Sequence, residues 1–234
     1  MSRQRIAVLA SGGGSNFQAL LDHLSALGDE RAGDIVVVAA DRPSAAALDR
    51  ARRAGIPTEV SASRLAPEEV PLARVIDRYM PDLIVLAGYL QHVPSDVTRA
   101  FAGRIVNVHP APLPEFGGPG MYGARVHRAL LSAGAAHSGP TVHFVDDEYD
   151  HGATIAHWSV PVHPDDDDRS LAARVLSAEH VLFPRVVQAL AAGEIGVGED
   201  GLLQRPFLAR PLPPFDDTLD ADTLGRIVDA ARAV

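Results

Sequence analysis

Short apolar runs alternate along the chain with stretches in which apolar residues recur every three or four positions. The first kind of pattern suits a buried strand and the second an amphipathic helix. Arg5-Ile6-Ala7-Val8-Leu9-Ala10 is a strand-like run ended by Ser11-Gly12-Gly13-Gly14-Ser15, and Phe17, Leu20, Leu21, Leu24 and Leu27 follow at helical spacing. Strand, glycine turn and helix are therefore expected in that order. The cycle repeats with a buried strand over Asp34 to Ala40, a helix capped by Ser44 and stopped by Gly55, and a short extended piece around Pro57 to Val60. Leu72, Val75, Ile76 and Tyr79 mark one face of a helix with Pro71 near its start. Asp82 to Leu86 reads as the next strand, Ser95 to Phe101 as a short helix, and Arg104 to His109 as a strand ending at Pro110.

The second half changes character. After a helix over Ala124 to Ala133, Pro140 to Val145 and Thr154 to Val162 read as two strands joined by the polar turn Asp146 to Gly152, a connection too short for a parallel crossover. Asp165 to Asp168 precede a long helix from about Ser170 to Ala192, where acidic residues suit the positive end of the helix dipole. These elements imply an α/β protein with a doubly wound, mostly parallel, Rossmann-like sheet and an antiparallel strand near the C-terminal half. Residues 1–192 form the expected catalytic domain. Residues 193–234, rich in Gly, Pro and Leu and closing with a helix over Asp220 to Ala233, form an extension expected to pack on the domain or serve an oligomer contact.

Composition narrows the partners. With 234 residues, 47% of them hydrophobic, the chain suits one ordered domain with an extension, and wholesale disorder is excluded. The 21 basic and 30 acidic residues leave a net charge of −9, which repels a phosphate backbone, and no basic stripe offsets it, so no nucleic-acid partner is expected. The lack of cysteine excludes disulfides, Cys-based zinc sites and thiol nucleophiles. No apolar run approaches the roughly 18 residues of a membrane span, and Met1 to Arg5 leads straight into the first strand. A cytoplasmic protein without membrane association is expected, acting on small molecules; a homodimer stays open.

Several residues could carry chemistry. The turn Gly13-Gly14-Ser15-Asn16 stands where the first strand meets the first helix, where backbone N–H groups can hold a phosphate. A purely structural turn is the alternative. Gly12 and Gly14 satisfy part of a dinucleotide fingerprint, but Phe17 replaces its third glycine; Asp41 could still mimic the acid that binds a ribose diol. Asn107 and His109 point the same way by strand alternation, at the end of a parallel strand where open sheets bind ligands. An amide beside an imidazole suits a carbonyl oxygen gaining negative charge, although a tied turn and a satisfied strand-end histidine would look the same. Asp150 could orient His109, but its acidic neighbours do not single it out. His143, Asp147 and His151 recur at the four-residue interval of helical metal ligands, in a segment that reads as strand and turn, so no metal is expected. No Gly-x-Ser-x-Gly elbow or Walker loop is present.

Taken in order, Val8 to Asn16, Asp82 to Tyr89, Asn107 to Pro110 and His143 to Gly152 resemble the folate-dependent phosphoribosylglycinamide formyltransferase family, over about Arg5 to Gln188. The resemblance implies formyl transfer from 10-formyltetrahydrofolate, a cosubstrate, to the amine of glycinamide ribonucleotide in purine synthesis, without a metal. It places the catalytic trio on Asn107, His109 and Asp150, the substrate phosphate near Gly13, Gly14, Ser15 and Asn16, and the ribose at Glu179, with Arg64 near the phosphate. The folate pocket would lie beside Tyr89, Leu90, Gln91, Val93 and Val97, with backbone groups of the turn from Asp146 to Asp150, Asp147 among them, against the heterocycle. Gln91 stands where the family frequently has an arginine, and Glu115 to Gly123 reads like another branch of the family. Losing that arginine removes a charge that could meet the folate's glutamate tail.

Formyltetrahydrofolate deformylase resembles the same set but normally carries an N-terminal regulatory domain, and methionyl-tRNA formyltransferase a C-terminal RNA-binding one. A first strand at Arg5 and an acidic tail favour the transferase acting on a small molecule. From a different class, a nucleotide-binding oxidoreductase or a non-catalytic sensor using the glycine turn and Asp41 stays open.

Overall fold

A computed structural model describes residues 2–63, 68–198 and 203–232. Strands β1 (Gln4–Ala10), β2 (Gly33–Ala40), β3 (Thr58–Val60), β4 (Leu83–Leu86) and β5 (Ile105–His109) are separated by helices α1 (Ser15–Leu27), α2 (Ala46–Arg53), α3 (Leu72–Tyr79) and α4 (Ser95–Ala100). Then follow α5 (Ala124–Ser132), β6 (His137–Ser138), β7 (Thr141–Phe144), β8 (Thr154–His157), β9 (Val160–Pro161), the long helix α6 (Asp168–Ala191), β10 (Gly196–Val197), β11 (Leu203–Arg205) and α7 (Ala221–Ala231). The main sheet has seven strands in the order β3-β2-β1-β4-β5-β7-β8. Its first five are mutually parallel, whereas β7 runs antiparallel to β5 and β8 antiparallel to β7. This is the doubly wound class that the alternation of patterns predicts.

Strand parity sorts the core into two layers. Ile6, Val8, Val38, Val85, Val106 and Val142 pack toward α1, α2, α5 and α6. Ala7, Leu9, Val37, Ile84 and Ile105 pack toward α3 and α4. Asn107 and His109 share the parity of Ile105, so they emerge on the second face at the strand end.

Two local expectations are corrected, and the place expected of Pro71 is met. Thr154 to Val162 is not one strand: the fully buried Trp158 leaves the main sheet between β8 and β9, and β9 pairs instead with β6. Ser44 does not cap α2, whose N-cap position is Ala45 with no side-chain bond. Pro71 occupies the N-cap position of α3, just outside the helix.

The cap of α6 lies in the acidic run. Asp167 Oδ1 accepts from the Arg169 and Ser170 N–H groups at 2.9 and 2.8 Å, while the Ser170 hydroxyl accepts from the Asp167 N–H at 3.0 Å. Asp167→Ala is expected to lower Tm by about 3 °C, measured by calorimetry, without changing activity. Beyond α6, Trp158 Nε1 donates to the Pro213 carbonyl at 2.9 Å and its ring meets Phe215 edge-on at 5.1 Å. Arg174 joins Asp166 to Asp217, and α7 packs on α6. Among the described residues no helix is long and apolar enough to cross a membrane.

Candidate active site

Asn107 and His143 are directly opposed in the β5–β7 ladder, so their side chains leave the sheet side by side. His143 Nδ1 lies 2.7 Å from the Phe144 carbonyl, which can only accept, so this nitrogen carries the hydrogen. Nε2 is then a bare acceptor, and Asn107 Nδ2 donates to it at 3.1 Å. That contact fixes which end of the amide faces inward. One Nδ2 hydrogen is committed to His143; the other remains for a ligand oxygen.

His109, two residues on, is buried with its Nε2 2.8 Å from the Phe116 carbonyl. By the same reasoning Nε2 is the donor. Nδ1 faces Asp150 Oδ2 at 3.5 Å. Burial holds the imidazole below its ordinary pKa, offset in part by the charge of Asp150 and the Phe116 carbonyl. The unliganded ring is therefore neutral at neutral pH, with a bare Nδ1 beside a carboxylate that would stabilise a proton arriving there.

The polar turn between β7 and β8 holds Asp150 in a left-handed conformation, φ 55°, which aims its carboxylate back at the strand ends. Oδ1 stands 3.6 Å from His143 Nε2, and Oδ2 accepts the Gly118 N–H at 3.0 Å. Burial pushes this carboxyl up, but the neighbouring imidazoles of His143 and His109 and the Gly118 N–H together hold it below the usual range. Asn107, His109 and Asp150 thus converge on one cleft.

That cleft has a volume of about 340 Å³, and Asn16 and Glu179 line its other side. Gly14 ends the glycine turn at φ 71°, where a Cβ would lie 2.7 Å from that of Ala47, so close packing of α1 on α2 requires glycine there. Of the turn residues, Asn16 reaches the cleft wall; Gly13, Gly14 and Ser15 stand behind it at the start of α1, whose first N–H groups have no partner within the helix. Asn16 Nδ2 donates to Glu179 Oε2 at 2.5 Å, while its own Oδ1 is buried without a partner. A ligand hydroxyl would satisfy that oxygen.

Glu179 is enclosed in α6, and burial raises its pKa from 4.5 to about 7 against the opposing bond from Asn16. A carboxyl whose folded pKa is raised contributes its stabilisation below the unfolded value and loses it as pH climbs through the folded one. About 3 kcal/mol should be lost between pH 4.5 and 7. Glu179→Gln does not titrate, so its stability relative to the unaltered protein should rise by about that amount from pH 4.5 to 8 in urea unfolding. A pH-independent difference would contradict the assignment.

On the remaining wall Tyr89 and Leu90 line the main cleft, while Gln91 and Val93 line an adjoining cavity of about 70 Å³ that also touches Asn107, His143 and Asp150. The His92 and Tyr149 rings meet edge-on at 4.9 Å over this cavity. One expected folate contact lies elsewhere. Val97 is a core residue of α4, packed under the sheet because it falls on the helix's apolar side. The Asp147 carboxylate turns outward to Thr98 and Arg99, and only its carbonyl, 3.1 Å from His92 Nε2, faces the wall. Asp41 is not open to a ribose diol, since Arg42 and Gln91 occupy its carboxylate. Arg64 lies outside the described residues.

His143, Asp147 and His151 bond to separate partners. The orienting part played by His143 escapes a reading of the sequence because its meaning depends on cross-strand register; its inward parity on β7 is the one available signal.

A doubly wound sheet that directs an amide, an imidazole and a carboxylate into one cleft at its carboxyl edge defines a class of group-transfer enzyme, and the family model described as formyl transferase matches residues 4–187. The chain belongs to the formyl transferase family. It is 42% identical to "Phosphoribosylglycinamide formyltransferase, chloroplastic" of Arabidopsis thaliana, over 86% of this chain and 70% of that one. It is 37% identical to the phosphoribosylglycinamide formyltransferase of Escherichia coli (strain K12), over 83% and 91% respectively. The crystal structure of the enzyme so named from Anaplasma phagocytophilum superimposes with a TM-score of 0.77 at 33% identity, covering 87% of this chain and 94% of that one. The family resemblance seen in the motifs is borne out.

Proposed function

We propose that this chain transfers the formyl group of 10-formyltetrahydrofolate to the amine of glycinamide ribonucleotide. The observation that carries the reading is the convergence of Asn107, His109 and Asp150 on a cleft whose far wall is Asn16 and Glu179. One side offers polar groups for a sugar and, at the start of α1, N–H groups for a phosphate. The other offers the Tyr89 to Val93 wall for a heterocycle.

The neutral amine attacks the formyl carbon. Charge develops on the formyl oxygen, where it is met by the free hydrogen of Asn107 Nδ2 and by a proton that His109 Nδ1 takes from solvent as the charge forms and returns when the intermediate collapses. Asp150 stabilises the imidazolium and, through water, accepts the proton the amine loses. The C–N bond to the folate then breaks, and that nitrogen takes up a proton, so one proton in all passes from amine to leaving group. Holding both reactants in one cleft removes much of the translational entropy cost of a two-substrate reaction.

The test is an assay of 10-formyltetrahydrofolate with and without glycinamide ribonucleotide. Formyl loss that requires the ribonucleotide supports transfer. Equal loss without it would make the chain a hydrolase, and no loss in either arm would remove the proposal.

A further inference from the structure

Asp41, at the end of β2, is fully buried and takes no part in the chemistry described above. Its carboxylate nevertheless gathers polar groups from three loops. Arg42 binds it through Nε and Nη2 at 3.0 and 2.8 Å, and Gln91 Nε2 donates to Oδ2 at 2.9 Å. The Ser11 hydroxyl, at the head of the glycine turn, faces the same carboxylate and helps hold its pKa down. Ser11 Oγ in turn accepts the Leu90 N–H at 2.9 Å, and the Ser11 N–H donates to the Gly88 carbonyl at 3.0 Å.

We propose that Asp41 is a positioning residue that locks the turn on the phosphate side of the cleft to the wall on the folate side, through Ser11 and Gln91. The inference rests on the function proposed above. Burial pushes this carboxyl up, but the bonds from Arg42 and Gln91, with the Ser11 hydroxyl close by, outweigh it, so Asp41 stays ionised across the neutral range. A buried charge of this kind is weak support for stability, because apolar side chains of similar size often serve a core as well. Its partners are the more telling feature. Ser11 opens the glycine turn, and Gln91 follows Tyr89 and Leu90, which line the cleft. Gln91, standing where an arginine is frequent in the family, is held by Asp41 and carries no charge of its own toward a folate tail.

Asp41→Asn keeps the shape but turns an amide hydrogen toward groups that are themselves donors, leaving Arg42 and Gln91 short of an acceptor. Steady-state kinetics of the full chain should show the KM for 10-formyltetrahydrofolate raised about ten-fold, a smaller rise for glycinamide ribonucleotide, and kcat at saturation within about three-fold of the unaltered protein. Gln91→Ala should raise the folate KM alone, and the double variant should be no worse for folate than Asp41→Asn, since both changes break one connection. A merely structural role would lower Tm and leave both KM values in place. KM values within about two-fold of the starting protein, or single effects that multiply in the double variant, would overturn the proposal. If Asp41→Asn does not fold, Ser11→Ala and Gln91→Ala decide: the first must raise both KM values and the second only that of folate. Absence of transfer in the unaltered protein would instead count against the functional reading itself.

Discussion

Asp150→Asn is expected to lower kcat by about 10³-fold while changing the KM values only a few-fold, as measured by steady-state transfer under saturating substrates. The substitution is close to isosteric, and asparagine accepts the left-handed backbone at φ 55° at least as readily as aspartate, so the turn should hold. An amide oxygen can still accept the Gly118 N–H. What disappears is the negative charge 3.5 Å from His109 Nδ1. Burial already disfavours the imidazolium, and without Asp150 the proton that must meet the developing oxyanion has little to hold it. The loss should therefore fall on the transition state. A variant keeping kcat within ten-fold would show that His109 works without its carboxylate.

The second large effect concerns stability. Gly152→Ala places a Cβ 2.1 Å from the Phe144 carbonyl oxygen and 2.8 Å from its carbon, both backbone atoms of β7 that cannot swing aside. Relief requires β7 and β8 to part where Phe144 N–H donates to the Ala153 carbonyl at 3.0 Å. Destabilisation of about 3 kcal/mol is expected in urea unfolding. Because Asp150 stands two residues away, kcat should fall as well, even at temperatures where the variant is folded. A loss below about 1 kcal/mol would mean that the turn yields far more easily than its contacts imply.

The parallel half of the fold was legible because each strand is a continuous apolar run and each helix shows a periodic face, from Ile6 through Val108. Asn107 and His109 stood out for the same reason, alternation at a strand end. Where local pattern does not decide, the reading weakened. The two-residue strands β6, β9 and β10 are too short to carry a period, and the break at Trp158 looks like continued strand until packing is known. Asp150 and Glu179 were reached through family resemblance, since neither an acid in an acidic turn nor one in an apolar helix announces its surroundings. His143 depended on register between two strands whose opposed residues, Asn107 and His143, stand 36 positions apart in the chain. The family resemblance places Val97 at the cleft, whereas the helical turn carries it into the core.

The reversed direction of β7 has a larger consequence. Were this strand parallel to β5, its link to β8 would leave straight from the rim where the five parallel strands finish; inverted, it leaves beside Ile105, roughly 13 Å away for a strand of this length. The acidic hairpin therefore doubles back to carry Asp150 to the rim, where two members of the reacting trio wait for the third. Chemical competence is thus a property of the completed sheet, and no autonomous parallel fragment could possess it.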